Sequence, residues 1–236
     1  MNQLNILSGG AAQGLVGSLA AKFKTLTGLD IGGEFGAVGA MAGKLREGKP
    51  TDIVILTAAI VAKLADEKRV VPASITDVGL VETALAVRTG DPQVKVTDAA
   101  TLRAAFLAAD AIFVPDTKAS TAGIHVAKVL EQLGISGDVA ARLKIYPNGA
   151  TAMRHMGTSD AAKPIGCTQS TEIISTEGVM LSGSLPRGCD LATMYTAAIT
   201  TTATHAREAQ ALIDLLTAAD QRELRVAAGF LSAAPI

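Results

Sequence analysis

Asp52-Ile53-Val54-Ile55-Leu56, followed at once by Thr57 and an apolar-periodic run to about residue 68, decides the fold class. Four consecutive apolar residues behind an aspartate show no polar alternation. They read as a strand buried on both faces, the kind found in parallel sheets covered by helices. Thr57 is placed to cap the helix that follows. Toward the N-terminus, residues 4–7 read as a strand, Gly9-Gly10 as a turn, and residues 11–26 as a helix. That helix carries Leu15, Leu19, Phe23 and Leu26 at helical spacing and ends at Gly28. Residues 31–35 form a second strand and residues 37–46 a helix. Toward the C-terminus come a long strand at 78–87, a helix at 98–108 capped by Asp98, a short buried strand at 111–114 and a helix at 120–133. A strand at 143–146, a short helix at 150–156 and strands at 165–168 and 179–184 continue the alternation. A strand at 193–202 and helices at about 204–218 and 220–228 close the chain. Strands alternating with helices in this way predict an α/β protein with largely parallel sheets.

Composition narrows the class further. With 236 residues, 49% of them hydrophobic and 18% charged, the chain can bury a substantial core. The 21 basic and 22 acidic residues leave a net charge of -1, so no global field favours nucleic acid or an anionic membrane surface. An anionic partner must therefore be caught locally. No apolar stretch approaches the roughly 20 residues needed to span a bilayer, which argues against membrane insertion. Met1-Asn2-Gln3 runs directly into the first strand without a basic region, apolar stretch and cleavage site. As it stands the sequence therefore reads as cytoplasmic, and as periplasmic if a leader has been removed. Cys167 and Cys189 lack a CxxC spacing and are compatible with either a disulfide or free thiols.

The residues at the strand-to-helix turns carry a family resemblance. Residues 4–12 (LNILSGGAA), Phe35-Gly36-Ala37-Val38 and residues 50–56 (PTDIVIL) resemble the first three strand-to-helix units of molybdate-binding proteins of ABC transporters. So do Ser120-Thr121-Ala122-Gly123-Ile124, residues 127–134 (AKVLEQLG) and residues 164–172 (PIGCTQSTE). The ordered set resembles the type 2 periplasmic-binding-protein superfamily. That resemblance implies a two-lobed α/β fold, each lobe a largely parallel sheet flanked by helices, with the ligand cleft between lobes. It implies one lobe from residues 1–82 plus 192–236 and a second from residues 83–191. It also implies an ABC permease as partner if the protein is exported.

Helix starts indicate what such a protein binds. Free backbone N–H groups at helix N-termini, with the positive end of each macrodipole, form a ready anion site. Gly10, Ala11 and Ala12, then Ala37 and Val38, then Thr57, then Ser120 and Thr121, and finally Gly149 stand at such starts with small side chains that admit an anion to the backbone. The bland alternative is that small residues merely let helices pack closely on the sheet. The molybdate-binding relatives use serine hydroxyls on the first two turns and a tyrosine on the last cleft strand. This chain has Ala11 or Ala12, Ala37 or Val38, and Gln169 instead. Each missing donor costs an oxyanion about 1 to 3 kcal/mol. The replacements suit an anion with a carbon skeleton, a di- or tricarboxylate, held at the helix ends.

Among charged residues, Arg88 at the end of its strand is a candidate carboxylate clamp. Glu172 and His125 are the acid–base candidates, although Glu172 also suits dipole compensation at a helix start and His125 lies in a helix body. No HExxH, Walker loop or nucleophile elbow calls for a metal, a cofactor or a hydrolytic site. Two functions follow. The first is binding of a small organic anion by a solute-binding-type protein. The alternative is a cofactor-independent isomerase of an unsaturated carboxylate, because residues 9–14 (GGAAQG) and 166–169 (GCTQ) also resemble the aconitate isomerases. Such a reaction needs an anion clamp, a base for a proton alpha to a carboxylate, and an acid across the double bond.

Overall fold

The computed structural model describes residues 3–231, so Met1 and Asn2 of the N-terminal reading lie outside the described residues. In chain order the elements are β1 (Gln3–Gly9), α1 (Gln13–Thr27), β2 (Asp30–Gly36), α2 (Val38–Arg46), β3 (Ile53–Thr57), α3 (Ala58–Asp66) and β4 (Thr76–Arg88). They continue with α4 (Ala99–Ala108), β5 (Ala111–Pro115), α5 (Thr121–Gln132), α6 (Ser136–Val139), β6 (Leu143–Tyr146), α7 (Gly149–Gly157), β7 (Pro164–Gln169), α8 (Ser170–Ile174) and β8 (Val179–Ser184). The chain ends in β9 (Ala192–Ile199), α9 (Ala206–Thr217), α10 (Arg222–Ala227) and β10 (Phe230–Leu231). Contacts divide the chain into a first unit, residues up to Val81 with those from Thr193 onward, and a second unit, Glu82–Ala192.

In the first unit β1 pairs in parallel with β2 and β3, as the continuous apolar reading of β3 requires, and all five residues of β3 are buried. Helices cover this sheet through Leu15, Leu19 and Phe23 of α1, Met41 and Leu45 of α2, and Leu212 and Leu216 of α9. Leu26, expected on the buried face of α1, is 63% exposed, and Val16 is buried in the face instead. Gly28 closes α1 in the left-handed region, where a side chain would be strained. The expected start of α1 at Ala11 is a 3₁₀ turn, Gly10–Ala12, that leads into the α-helix at Gln13.

The sheets are mixed, with antiparallel strands beside the parallel pairs expected from alternation. β9 is antiparallel to β3, β10 is antiparallel to β4, and in the second unit β4 is antiparallel to both β7 and β8. Among the described residues β5 is parallel to both β6 and β7 there. Parallel neighbours need a covering crossover. β9 follows β8 with no helix between them and runs antiparallel to β3.

Asp52 holds the first unit's non-consecutive segments together. It is 1% exposed. One carboxylate oxygen accepts the Asn5 N–H at 2.8 Å. The other accepts the Thr204 N–H at 2.8 Å, the Thr204 hydroxyl at 3.1 Å and the His205 N–H at 3.0 Å. Its backbone bonds Asn5 and Thr200 as well. The start of β3, the middle of β1 and the entry to α9 thus converge on one carboxylate. Burial pushes its pKa up, but the four donors outweigh that and leave it below the ordinary aspartate value. A lowered folded pKa means the stabilisation is complete above the unfolded value, near pH 4, and is lost as pH falls through the folded one. Asp52→Asn should therefore lose about 2 kcal/mol in urea denaturation at pH 7. That difference should be constant from pH 5 to 8 and shrink below pH 4. An undiminished difference at pH 3 would show that the carboxylate charge is not what stabilises this junction.

Candidate functional site

The helix starts fall into two groups according to what satisfies their N–H groups. α4 is capped by Asp98, whose carboxylate accepts the Thr101 N–H at 2.8 Å, and α7 by Asn148, whose amide oxygen accepts the Thr151 N–H at 2.9 Å. The helices α1, α2, α3 and α5 have neither a side-chain cap bond nor an acidic residue in the first turn. All four begin where a parallel strand ends: β1, β2, β3 and β5 respectively. Ligands of α/β sheets bind at the carboxyl ends of the strands, and uncapped helix starts there leave donors for an anion.

In the first unit the register brings these ends to one edge. Gly9 is opposite Gly36, and Thr57 is opposite Tyr195 of β9. Gly10, Ala11, Ala12, Ala37, Val38 and Thr57, the predicted ligand residues of this unit, therefore share that edge, and all six are buried. Tyr195 went unremarked in the sequence because it sits in an ordinary strand pattern. A Cβ on Gly9 would lie 2.8 Å from the Tyr195 ring and 2.8 Å from Val38, so the glycine is what lets the first turn pack against them. Thr193, two residues before Tyr195 on the same strand face, has its hydroxyl buried without a hydrogen-bond partner.

In the second unit Ser120 and Thr121, Gly149, and Gln169 lie at the carboxyl ends of β5, β6 and β7. Asp116 shapes the turn before α5, its side chain accepting the N–H of Lys118 at 2.7 Å and of Ala119 at 2.9 Å. Gly123 must be glycine, because a Cβ there would overlap the Asp116 and Pro115 carbonyls. Tyr146 at the end of β6 stacks on His155 of α7, ring centres 4.4 Å apart.

Glu172 carries out the helix-start compensation that the sequence offered as its bland reading. It is the third residue of α8, and its carboxylate reaches back to the N–H of Gln169, the N-cap. The same carboxylate accepts the N–H groups of Gly149 and Ala150 at the start of α7 and the Thr168 hydroxyl at 2.6 Å. Gly149 is therefore a predicted ligand residue whose N–H already has an internal acceptor. A Cβ at Gly149 would overlap both the Glu172 carboxylate and the Thr168 hydroxyl, which is why this position is glycine. Burial pushes the Glu172 pKa up, against the pull of the hydroxyl and the three backbone donors.

The remaining candidates are placed elsewhere. Because β4 is antiparallel to β7, Thr83 is opposite Gln169, whereas Arg88 lies at the other edge of the sheet. There its guanidinium donates to the Ser159 carbonyl at 2.6 Å and the Ala161 carbonyl at 3.1 Å, and pairs with Asp91 at 3.0 Å. Arg88 is a fastener of that edge rather than a carboxylate clamp beside Gln169. His125 Nε2 is 2.8 Å from the Cys189 carbonyl. Cys167 and Cys189 are buried free thiols, and burial pushes the Cys167 pKa up to about 12. No thiolate nucleophile follows from them. Among the described residues no group of three His, Cys, Asp or Glu side chains is arranged to hold a metal, and no helix is long and apolar enough to cross a membrane.

The second unit holds a further set of unsatisfied polar atoms. Both amide atoms of Gln169 and the hydroxyls of Thr83 and Thr171 are buried with no hydrogen-bond partner among the described residues. The three side chains are 2%, 0% and 3% exposed. Orphaned atoms of this kind are rare in folded proteins, and each carries a desolvation penalty of about 1 to 3 kcal/mol.

The model of the bacterial extracellular solute-binding proteins matches residues 4–231. The chain belongs to that family. This solute-binding protein is 26% identical over 228 residues to an aconitate isomerase of a Pseudomonas species, covering 92% of this chain and 83% of the relative. Its fold is shared with the periplasmic molybdate-binding protein of Azotobacter vinelandii (TM-score 0.80, 16% identity, 98% of this chain and 100% of that one). It is also shared with the sulfate-binding protein SubI of Mycobacterium tuberculosis H37Rv (TM-score 0.74, 18% identity, 98% of this chain and 86% of that one). The resemblance to type 2 periplasmic binding proteins read from the strand-to-helix turns agrees with these matches.

The Glu172 junction makes a sharp demand on the position opposite it. Gly149→Ala should lower the stability of the solute-binding protein by about 2 to 4 kcal/mol in urea denaturation, since backbone and a buried carboxylate must both move. Gly137→Ala in α6, where a Cβ meets open space, should leave the midpoint unchanged or raised. Equal midpoints for the two variants would mean that the carboxylate does not fill the start of α7.

Proposed function

We propose that this solute-binding protein takes a small organic anion, a di- or tricarboxylate, with Gln169 as its central contact. The observation that carries the reading is the buried, unpartnered Gln169 amide, flanked by the unpartnered Thr83 and Thr171 hydroxyls. These are neutral groups. A carboxylate group is matched by two or three neutral donors, whereas a bare divalent oxyanion asks for a donor toward each of its oxygens. The replacement of the hydroxyls expected for an oxyanion binder by Ala11, Ala12, Ala37 and Val38 argues against a bare oxyanion and for a ligand with a carbon skeleton. Thr121 at the uncapped start of α5 adds a hydroxyl to that helix's N–H groups. Delivery to an ABC permease fits a member of this family.

The similarity to an aconitate isomerase over 228 residues favours a second reading, allylic isomerisation of an unsaturated polycarboxylate. Its base is not Glu172 in the arrangement seen, because that carboxylate faces four donors, and His125 is engaged by a carbonyl. Incubation with trans-aconitate followed by proton NMR separates the readings, since a binder leaves the double bond where it was.

Calorimetric titration with citrate, aconitate and molybdate tests the binding reading. Citrate or aconitate should bind, and Gln169→Ala and Thr171→Val should each weaken binding about ten- to a hundredfold. His125→Ala should leave affinity within about threefold. Micromolar molybdate binding with no carboxylate binding would overturn the proposal.

A further inference from the structure

The Gln169 amide presents two different demands. Nε2 can only donate and Oε1 can only accept. Both are buried and neither has a partner among the described residues. Exchanging the two amide atoms leaves the demand unchanged, because each position is equally unpartnered. The nearest candidates for mutual satisfaction do not serve. The Thr83 hydroxyl, directly across the ladder, and the Thr171 hydroxyl, two residues on, are themselves unpartnered. The backbone N–H of Gln169 is taken by Glu172, and the Thr168 hydroxyl donates to that same carboxylate.

A fully ionised anion without hydrogens answers only part of this. Its oxygens accept from Nε2 and from the two threonine hydroxyls, but nothing on it can donate to Oε1. Since both carboxylate oxygens and a protic group are needed within the reach of one amide, we infer that the ligand is a hydroxycarboxylate whose O–H donates to Gln169 Oε1 while its carboxylate accepts from Gln169 Nε2 and the threonines. A hydroxyl and a carboxylate on adjacent carbons, as in a 2-hydroxy acid, match an amide that offers acceptor and donor side by side. A site that hydrogen-bonds a ligand hydroxyl discriminates strongly against the analogue lacking it, because its buried acceptor is then left unmatched. Gln169 is thereby a specificity-determining residue as well as an anion contact.

This inference rests on the carboxylate-binding reading above, and matched ligands separate the two. Malate against succinate, and citrate against tricarballylate, differ by the hydroxyl. Calorimetry with the full chain should give at least about tenfold tighter binding for the hydroxylated member of one or both pairs. In Gln169→Leu, or in Gln169→Met if the leucine variant does not fold, the ratio should fall to near one. Equal affinities within both pairs on the wild type overturn the hydroxyl assignment and leave carboxylate binding standing, a water molecule then satisfying Oε1. A preference that survives in the Gln169 variants overturns the assignment to that residue. Binding of molybdate with no binding of any of the four acids overturns the carboxylate reading and this inference with it.

Discussion

Every helix must find partners for the N–H groups of its first turn, and in this chain the source of those partners organises everything else. Where the fold supplies them internally, buried or capping acids and amides do the work: Asp98 for α4, Asn148 and Glu172 for α7, Glu172 again for α8, and Asp52 at the entry to α9. Asp52 and Glu172 tie together segments that are far apart or at least non-consecutive, so each stabilises tertiary structure through a carboxylate that also quiets a helix start. Where the fold supplies no side chain, at α1, α2, α3 and α5, the helix comes after a parallel strand and its N-cap is a small residue, Ala12, Ala37, Thr57 or Ser120. The division therefore separates helix starts that the fold satisfies with its own side chains from starts whose N–H groups have no side-chain cap.

Much of the fold was legible because it rests on local signals. The unbroken apolar run at Ile53–Leu56, the Gly28 stop and the Asp98 cap each have a short-range physical cause, and each appears where the residues put it. The antiparallel settings of β4 and β9 were not legible, since strand direction depends on how a segment enters its sheet and no residue in the strand encodes that. Arg88 shows the consequence. Read as the end of a strand it looked available to a ligand, but reversing β4 sends it to the edge opposite Gln169, where backbone carbonyls occupy it.

The site was legible in part. The small residues at the helix starts stood out by composition. Gln169 stood out only because the resemblance put a tyrosine in its place. That its amide is buried and unmatched is a long-range fact about packing, as is the closeness of Gly149 to Glu172, 23 positions later in the chain. A sequence reader sees a glycine beside a helix start and expects a ligand's anion there. The structure fills the place with the buried Glu172 carboxyl, and the unmatched polar atoms are the amide and hydroxyl groups of Gln169, Thr83 and Thr171.

On the proposed reading, recognition by neutral groups is what lets a chain of net charge -1 take an anion. Local donors in a dry setting replace a global field. The most direct test of the account is a nitrogen–proton NMR spectrum of the uniformly labelled protein with and without saturating citrate, the Gln169 side-chain amide assigned by its absence in Gln169→Ala. The account predicts that this amide pair is among the most strongly shifted signals and that its protons become protected from exchange. A spectrum in which citrate moves many backbone signals but leaves the Gln169 amide where it was would contradict it.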